Sequence, residues 1–518
     1  MPRKQLIFGP GVKMMGFHDQ PPSIFVEIRM RKAMERQGRL GCSGVAGVEL
    51  NAACRDEIIP ILCALQHIYS QPAVRDEILR AVAADVSRKT SRRRGRQGMD
   101  YWSILVLAAV RLGCNLNYDK LQDLAEQHRA LRAIMGIGGW DGPDHFDWRR
   151  IQDNITRISP ETMERINHLI VAEGHRLVPE AVRTARIDST VVGTNIHFPT
   201  ESGLIRDGLR KVLACAGKLA EALGVNGWRQ HQHLYRKVKR LVREIERTAA
   251  RKGGGYQQRI QAQYRELLDM AQSLLDRAGG LEQEALKRGT DLDVLSLLAE
   301  LKTFAQRTRQ VCGTARRRVL EGEVVPNSDK LFSVFETHTQ LYKRGKAAEP
   351  VQFGRLVMIF EDGAGFITHC HLLPRDGDDR SVVIEQTRQV QERLGGRIER
   401  ASFDRGFHSP EIQTELAKII ACPCLPMPGI HLSAQQEQEA TVEFRQAKQN
   451  HPGVESAIHA LQAGNGQKRC RDRSERGFER YLQLGVLGRN LHTLGKILLA
   501  RKDADCKAAE SRRKAIAA

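Results

Sequence analysis

Residues 183–196 read RTARIDSTVVGTNI, and the architecture turns on this stretch. It alternates as a strand does: Ile187, Ser189 and Val191 fall on one face, and Asp188, Thr190 and Val192 on the other. An Asp inside an apolar strand is unusual, because burying a carboxylate without a partner is costly. Asp188 therefore reads as functional. The sequence is helical before this strand and helical again for a long stretch after it, and strand patterns return only near residue 331. That order predicts an α/β fold: a mixed sheet flanked by helices, with a helical unit ahead of it and a helical insertion after the first strand.

Upstream, residues 1–50 are weakly patterned, with Gly-Pro-Gly at 9–11 and Pro-Pro at 21–22, and read as a poorly ordered extension. Residues 51–178 read as a helical N-terminal domain. Apolar residues recur through Ile58, Ile61, Leu62 and Leu65. Asp100, Asn117 and Asp144 are placed to cap helices, and Ser159-Pro160-Glu161 opens another with Pro in its first position. Short helices joined by tight turns suit a helix-turn-helix-like DNA-binding module and suit a plain bundle equally. The basic run SRKTSRRRGRQG at 87–98 fits a solvated linker or a DNA contact.

Downstream, residues 201–324 read as the insertion. Leu234, Val238, Leu241 and Ile245, then Leu297, Leu301, Phe304, Thr308, Val311 and Ala315, follow helical spacing. Gly253-Gly254-Gly255 and Gly279-Gly280 are expected to break the helices, giving an antiparallel, coiled-coil-like arm with a basic outer face. Strands are expected at LFSVFETHTQLY (331–342), FGRLVMIFED (353–362) and GFITHCHLL (365–373), the last two forming a hairpin. A helix opened by Asp379, a strand in IERASFDRGF (398–407), a helix at 410–419, a short strand near 419–427, a helix from Pro452 and a final apolar helix at 481–500 complete the pattern. Residues 179–200 and 325–500 thus form the sheet domain, and 501–518 a basic tail.

Charge narrows the function. The 81 Lys and Arg outnumber the 61 Asp and Glu, for a formal charge of +20. Such an excess favours a polyanionic partner, since each cation that meets a phosphate releases condensed counterions. The 11 Cys are odd in number and form no CxxC pair; Pro423 alone separates Cys422 from Cys424. A disulfide framework is thus not expected, and a reducing cytoplasm fits. No apolar stretch is long enough to cross a membrane, and the N-terminus lacks the apolar core of a secretory signal.

Three acids stand where phosphodiester chemistry needs them: Asp188 in its strand, Asp404 in SFDRGFHSP, and Glu455 in HPGVESAIHALQ. Such chemistry uses two hard cations, one for the attacking oxygen and one for the leaving oxygen, and a few converging carboxylates can hold them. Val454, Ile458 and Leu461 form the core face of the last helix and leave Glu455 beside it. Glu475 and Glu479 in RSERGFERY are rivals for the third acid. Lys330, Lys343, Arg344, Arg405 and His408 are placed to approach phosphates. His369 and His371 share one strand face with Cys370 opposite, and read as ordinary strand residues because too few ligands accompany them.

RIDSTVVGTNIHFPTESGLIRDGLR resembles the first-Asp block of bacterial insertion-sequence transposases, in which Asp-x-Thr-x-Val precedes an Asn-Ile-x-x-Pro-Thr-(Asp/Glu)-Ser stretch. SFDRGFHSPE resembles the second-Asp block. HPGVESAIHALQAGNGQKRCRDRSERGFERYLQLGVLGRNLHTLG resembles the Glu block with its closing Arg-Asn-Leu helix. Together they resemble the ISNCY-type family over about residues 100–500. The resemblance implies an RNase H-like catalytic domain with Asp188, Asp404 and Glu455 holding two Mg²⁺ or Mn²⁺ ions. It implies a DDE transposase that acts on double-stranded DNA, both terminal repeats and target, as a homodimer assembled on DNA in a bacterial cytoplasm at the nucleoid. In related transposases an Arg stands four residues before the Glu and a Lys seven after it, both holding phosphates; here those positions are His451 and Gln462. Neutral His contacts phosphate less strongly than Arg. A metal-dependent nuclease without strand transfer and a DNA-binding protein without catalysis are the rival readings.

Overall fold

In the computed structural model, β1 spans Thr184–Gly193 and carries the alternation read from its sequence. The structure describes residues 44–87, 98–138, 146–288, 291–343, 350–427, 429, 437 and 439–517. Asp144, Arg344 and most of the basic run at 87–98 lie outside these residues.

β1 is central. On one side it pairs antiparallel with β3 (Gln352–Asp362), with Asp188 opposite Ile359. On the other it pairs in parallel with β5 (Arg400–Phe403), which in turn pairs in parallel with β6 (Cys422–Cys424). β2 (Gln340–Tyr342) and β4 (Ile367–Leu372) both take the outer edge of β3, at different points along it. The sheet is therefore mixed, as expected. The β3–β4 hairpin closes where Asp362 Oδ1 accepts the backbone N–H groups of Ala364 and Phe366, and Gly365 supplies a positive φ of 86°.

Helices cover both faces. On one face Ile187, Val191, Met358 and Phe360 pack beneath α12 (Asp379–Arg393) and α13 (Pro410–Ile419) through Val383, Val390, Ile412 and Leu416. On the other, Val192, Val357 and Ile359 meet Val454, Ala457, Ile458 and Leu461 of α15 (Pro452–Ala463), which follows α14 (Val442–Asn450). The same core continues into the N-terminal helices: α1 (Ile58–Tyr69), α2 (Pro72–Val86), α3 (Tyr101–Gly113), α4 (Tyr118–Gln127), α5 (Arg129–Ile134), α6 (Trp148–Ile155) and α7 (Pro160–Leu177). α16 (Glu475–Ala517) joins these layers, packing against α1, α3, α7 and β4. The residues read as a basic tail continue this helix.

The expected caps form at the start of α3, α4 and α7. Asp100, Asn117 and Ser159 accept the N–H groups of Ser103, Lys120 and Thr162, each satisfying an amide that has no partner inside its helix. α12 begins one residue past its cap, Asp378.

Three expectations change. The insertion is a four-helix bundle of α8 (Glu201–Leu223), α9 (His231–Arg251), α10 (Tyr256–Arg288) and α11 (Leu292–Ala315), in which α8 and α10 each touch the other three. Gly279-Gly280 does not interrupt α10, because Ala278, Leu281 and Ala285 bury its face on both sides of the pair. Of residues 331–342 only the last three form a strand. Ser333 Oγ accepts the N–H groups of Phe335 and Glu336, and buried Glu336 takes the N–H of Ser474, so these amides are satisfied by side chains instead of a ladder. The bundle leaves and rejoins the sheet at one buried point, where Thr194 Oγ1 and Thr339 Oγ1 stand 2.8 Å apart.

One ion pair ties the helical layer to the segment before α16. Arg111 of α3, 2% exposed, meets Asp472 at 2.5 Å, lies 4.0 Å over the Tyr118 ring, and shares Asp472 with Arg480. Removing one partner strands a buried charge. Asp472→Ala is expected to destabilise the protein by about 3–5 kcal/mol in denaturant unfolding, whereas Arg111→Met combined with Asp472→Leu recovers most of the loss.

Candidate functional site

The parallel register of β1 and β5 runs from Thr184–Arg400 to Ile187–Phe403. Asp188 and Asp404 are the next residues on each strand, so the two acids leave neighbouring backbones about 4.8 Å apart. Asp188 is half-buried, and its Oδ1 accepts the N–H of Ser189 at 2.6 Å. Asp404 is exposed at the head of a single 3₁₀ turn, Arg405–Phe407. A Cβ at Gly406 would stand 3.2 Å from Asp404 Oδ2, so the glycine leaves room for that carboxylate.

α15 brings the third acid. At its start a Cβ on Gly453 would strike the Arg186 guanidinium, and near its end Gln462 Nε2 donates to Thr190 Oγ1 at 3.1 Å. The helix therefore runs alongside residues 186–190 of β1, with Asp188 at the middle of that span. Glu455 lies exposed in its first turn, where a carboxylate favours the helix dipole. Among the described residues neither the Asp404 nor the Glu455 carboxylate has a hydrogen bond or an ion pair.

His451 sits between them. Its Nδ1 lies 3.1 Å from Ser402 Oγ. Burial pushes the ring below the usual histidine range, against the pull of Asp404 and Glu455, and Arg186 adds to the depression. Arg186 was not singled out in the sequence, yet it pairs with Glu361 at 3.0 Å and donates to the carbonyl of Asp362. Burial pushes Glu361 up to about 7, with Arg186 and Arg489 opposing the shift.

A further acidic pair stands close by. The Ser189 hydroxyl donates to Asp379 Oδ2 at 2.7 Å, and Arg380 Nε donates to the carbonyl of Gly406 at 2.6 Å, which ties the start of α12 to the Asp404 turn. Asp378 is raised above the usual carboxyl range chiefly by its hydrogen bond with Asp379. The run Asp376–Asp379 was the available signal; its approach to β1 is a tertiary fact.

The remaining candidates divide. Arg405 is exposed and His408 half-buried beside Asp404. Lys330 is half-buried where the insertion returns to the sheet, and Lys343 is exposed just past β2. The rival Glu475 is engaged elsewhere, paired with Arg355 at 2.6 Å. Glu479 is raised above its usual range by burial, with Glu475 and Glu161 adding to the shift. Asp188, Asp404 and Glu455 are not a closed single-ion cage. The group whose donor atoms all lie within 4.8 Å of one another, among the described residues, is Glu164, His168 and His369. Two ions about 3.5–4 Å apart do not demand such closeness from every ligand.

A cleft of about 710 Å³ opens beyond the end of β1, between Val191, Gln462, Phe198 and the basic segment of Lys468, Arg469 and Arg471. Phe198 is 72% exposed there and packs edge-on against Phe353 at 5.5 Å. No protein-family model, curated protein or solved structure matches the chain.

Acids gathered at one sheet edge repel each other when no cation is bound. Asp404→Asn is therefore expected to leave the unfolding temperature unchanged or raise it in EDTA, and to show no further rise with Mn²⁺, a rise that is expected for the native chain. A mutant that keeps the full Mn²⁺ response would remove Asp404 from the site.

Proposed function

We propose that the chain is a DNA transposase of the DDE type, with an RNase H-like catalytic domain. The observation that carries this reading is the β1–β5 pairing, which sets Asp188 beside Asp404 with the helix of Glu455 lying along the same strand. Carboxylates on two adjacent strands and one helix are what the RNase H-like reading requires.

The donor set fits hard divalent cations. It consists of carboxylate oxygens, two of them exposed without a cationic partner among the described residues, and Mg²⁺ or Mn²⁺ favours such ligands together with water. Asp188, Asp404 and Glu455 would hold the ions. When bound, they supply Lewis-acid stabilisation of the attacking and leaving oxygens of the phosphodiester.

The protein's own residues bind and orient the DNA. The formal charge of +20 supplies sequence-independent attraction for the phosphates. The cleft beyond β1 joins that charge to an exposed ring, and a basic groove with an aromatic wall suits a nucleic-acid strand. Arg405 and His408 flank Asp404 at the point where the scissile phosphate would arrive. His451, hydrogen-bonded to Ser402 and pushed below the usual histidine range by burial, orients the head of α15 and is a weaker phosphate contact than an Arg would be. Gln462 is spent on Thr190 and fixes the helix against β1. Two DNA ends must be handled together, so a homodimer on DNA is the working assembly. Cleavage frees a 3′ hydroxyl, and the same acids then serve its attack on target DNA.

The decisive assay is strand transfer with the element's own ends and Mg²⁺. Asp188→Asn, Asp404→Asn and Glu455→Gln should each lower joining by at least roughly 10²–10³-fold, the scale of losing a preorganised electrostatic group. Cleavage retained in Asp188→Asn would sink the assignment, and cleavage without joining would favour a nuclease.

His451 offers a second test. His451→Arg should tighten DNA binding and steepen the log–log salt slope by about one. Because burial depresses the native ring, wild type and His451→Gln should bind alike from pH 7.5 down to 6.5. A gain by wild type alone over that interval would show that His451 is protonated on DNA.

A further inference from the structure

Away from the carboxylate edge, α7 meets the outer side of the sheet at a small polar knot. Glu164 and His168 stand one turn apart on α7, an i, i+4 pair on one helical face. His369 projects from β4 and is 8% exposed. Its Nε2 lies 2.8 Å from Gln386 Oε1, a carbonyl acceptor, an arrangement that favours a ring proton on Nε2 and a lone pair on Nδ1. Nδ1 is buried, has no hydrogen-bond partner, and faces Glu164 Oε1 at 3.8 Å, beyond hydrogen-bond distance. The third acceptor, His168 Nε2, is 3.9 Å from the same Glu164 oxygen.

Three acceptors that converge without a donor of their own call for a cation. The one at hand is Arg393, whose Nη1 lies 2.6 Å from His168 Nε2 while its Nη2 donates to the carbonyl of Thr368. It satisfies His168 and leaves His369 Nδ1 bare. Arg393 is exposed along its length, while its guanidinium is held by these two contacts. Tetrahedral ligands at about 2.1 Å from Zn²⁺ stand about 3.4 Å from one another, so closing the present 3.8 and 3.9 Å gaps takes only small side-chain shifts.

We propose that Glu164, His168 and His369 form a transition-metal site, fitted to Zn²⁺, that clasps the helical layer to the sheet and competes with Arg393 for His168. The chemistry differs from that of the acidic edge. Two imidazoles and one carboxylate select a borderline-soft ion, whereas the three acids select Mg²⁺ or Mn²⁺. Gln386 is the outer partner that fixes the His369 tautomer. The fourth position is open, for water or for an exchangeable ligand.

The test uses the full chain and Co²⁺ or Zn²⁺ alone. Co²⁺ is expected to give intense tetrahedral visible bands without thiolate charge-transfer absorption. The bands should persist in Asp188→Asn/Asp404→Asn and vanish in His168→Gln and His369→Gln. Because His369 is buried and its variant could misfold, the partly exposed His168 serves as control: His168→Gln should keep the native circular dichroism and lose the Zn²⁺-dependent rise in unfolding temperature. At 100 times the Kd that rise reflects a roughly 100-fold shift of the folding equilibrium. Arg393→Met should tighten Zn²⁺ about tenfold or more, on the 10–100-fold scale of changes beside a metal site. Thiolate bands, bands lost with the acidic pair, or bands indifferent to His168 would each overturn the proposal.

Discussion

The short parallel ladder between β1 and β5 is the constraint on which the rest depends. It spans four register pairs, and it alone sets Asp188 beside Asp404, which the chain separates by a whole helical bundle and half the sheet. Parallel pairing is slightly weaker per residue than antiparallel pairing. The fold compensates by covering it from both sides. α12 and α13 bury Ile187 and Phe403 on one face, and α15 follows β1 on the other. The two ends of the insertion meet at the Thr194–Thr339 contact, and Phe198 and Phe332 beside those ends both pack on Phe353 of β3.

Two polar centres share this frame and differ in kind. The edge with Asp188, Asp404 and Glu455 is all-oxygen, and two of its acids, Asp404 and Glu455, are exposed. The knot of Glu164, His168 and His369 is half-closed, contains imidazoles, and already attracts a guanidinium. Asp404 and Glu455 face solvent, whereas the second cluster lies where α7 meets β4. The difference in burial follows from position: β5 stops at Phe403 and leaves Asp404 to solvent, whereas His369 lies within β4 beside Glu164 of α7.

What was legible in the sequence was local. Asp188 stood out because alternation placed a charge among apolar neighbours, and Asp100, Asn117 and Ser159 announced their caps because the contact lies three residues away. Asp404 and Glu455 came from resemblance to known blocks, not from their own spacing. What was hidden was set by distant partners. Residues 331–339 carry a strand-like pattern, yet Ser333 turns their amides inward. Gly279-Gly280 looks like a break, yet packing on both sides carries the helix through. The hydrogen bond from Ser189 to Asp379 and the approach of α7 to His369 join residues far apart along the chain, and no periodicity records them.

The position of α16 has a consequence for how the chain is made. Its residues Phe478, Tyr481, Leu484, Leu487, Leu491 and Leu494 complete the core that α1, α3 and α7 begin. During synthesis those early helices emerge with their apolar sides bare and wait for the bundle and the sheet to follow before their partner arrives. Closure of this core thus waits for α16, and until then the early helices present apolar surface to aggregation and to chaperones. The four-helix bundle, whose core is contiguous in sequence, is free to settle first and stands finished while the rest of the molecule is still being assembled around it.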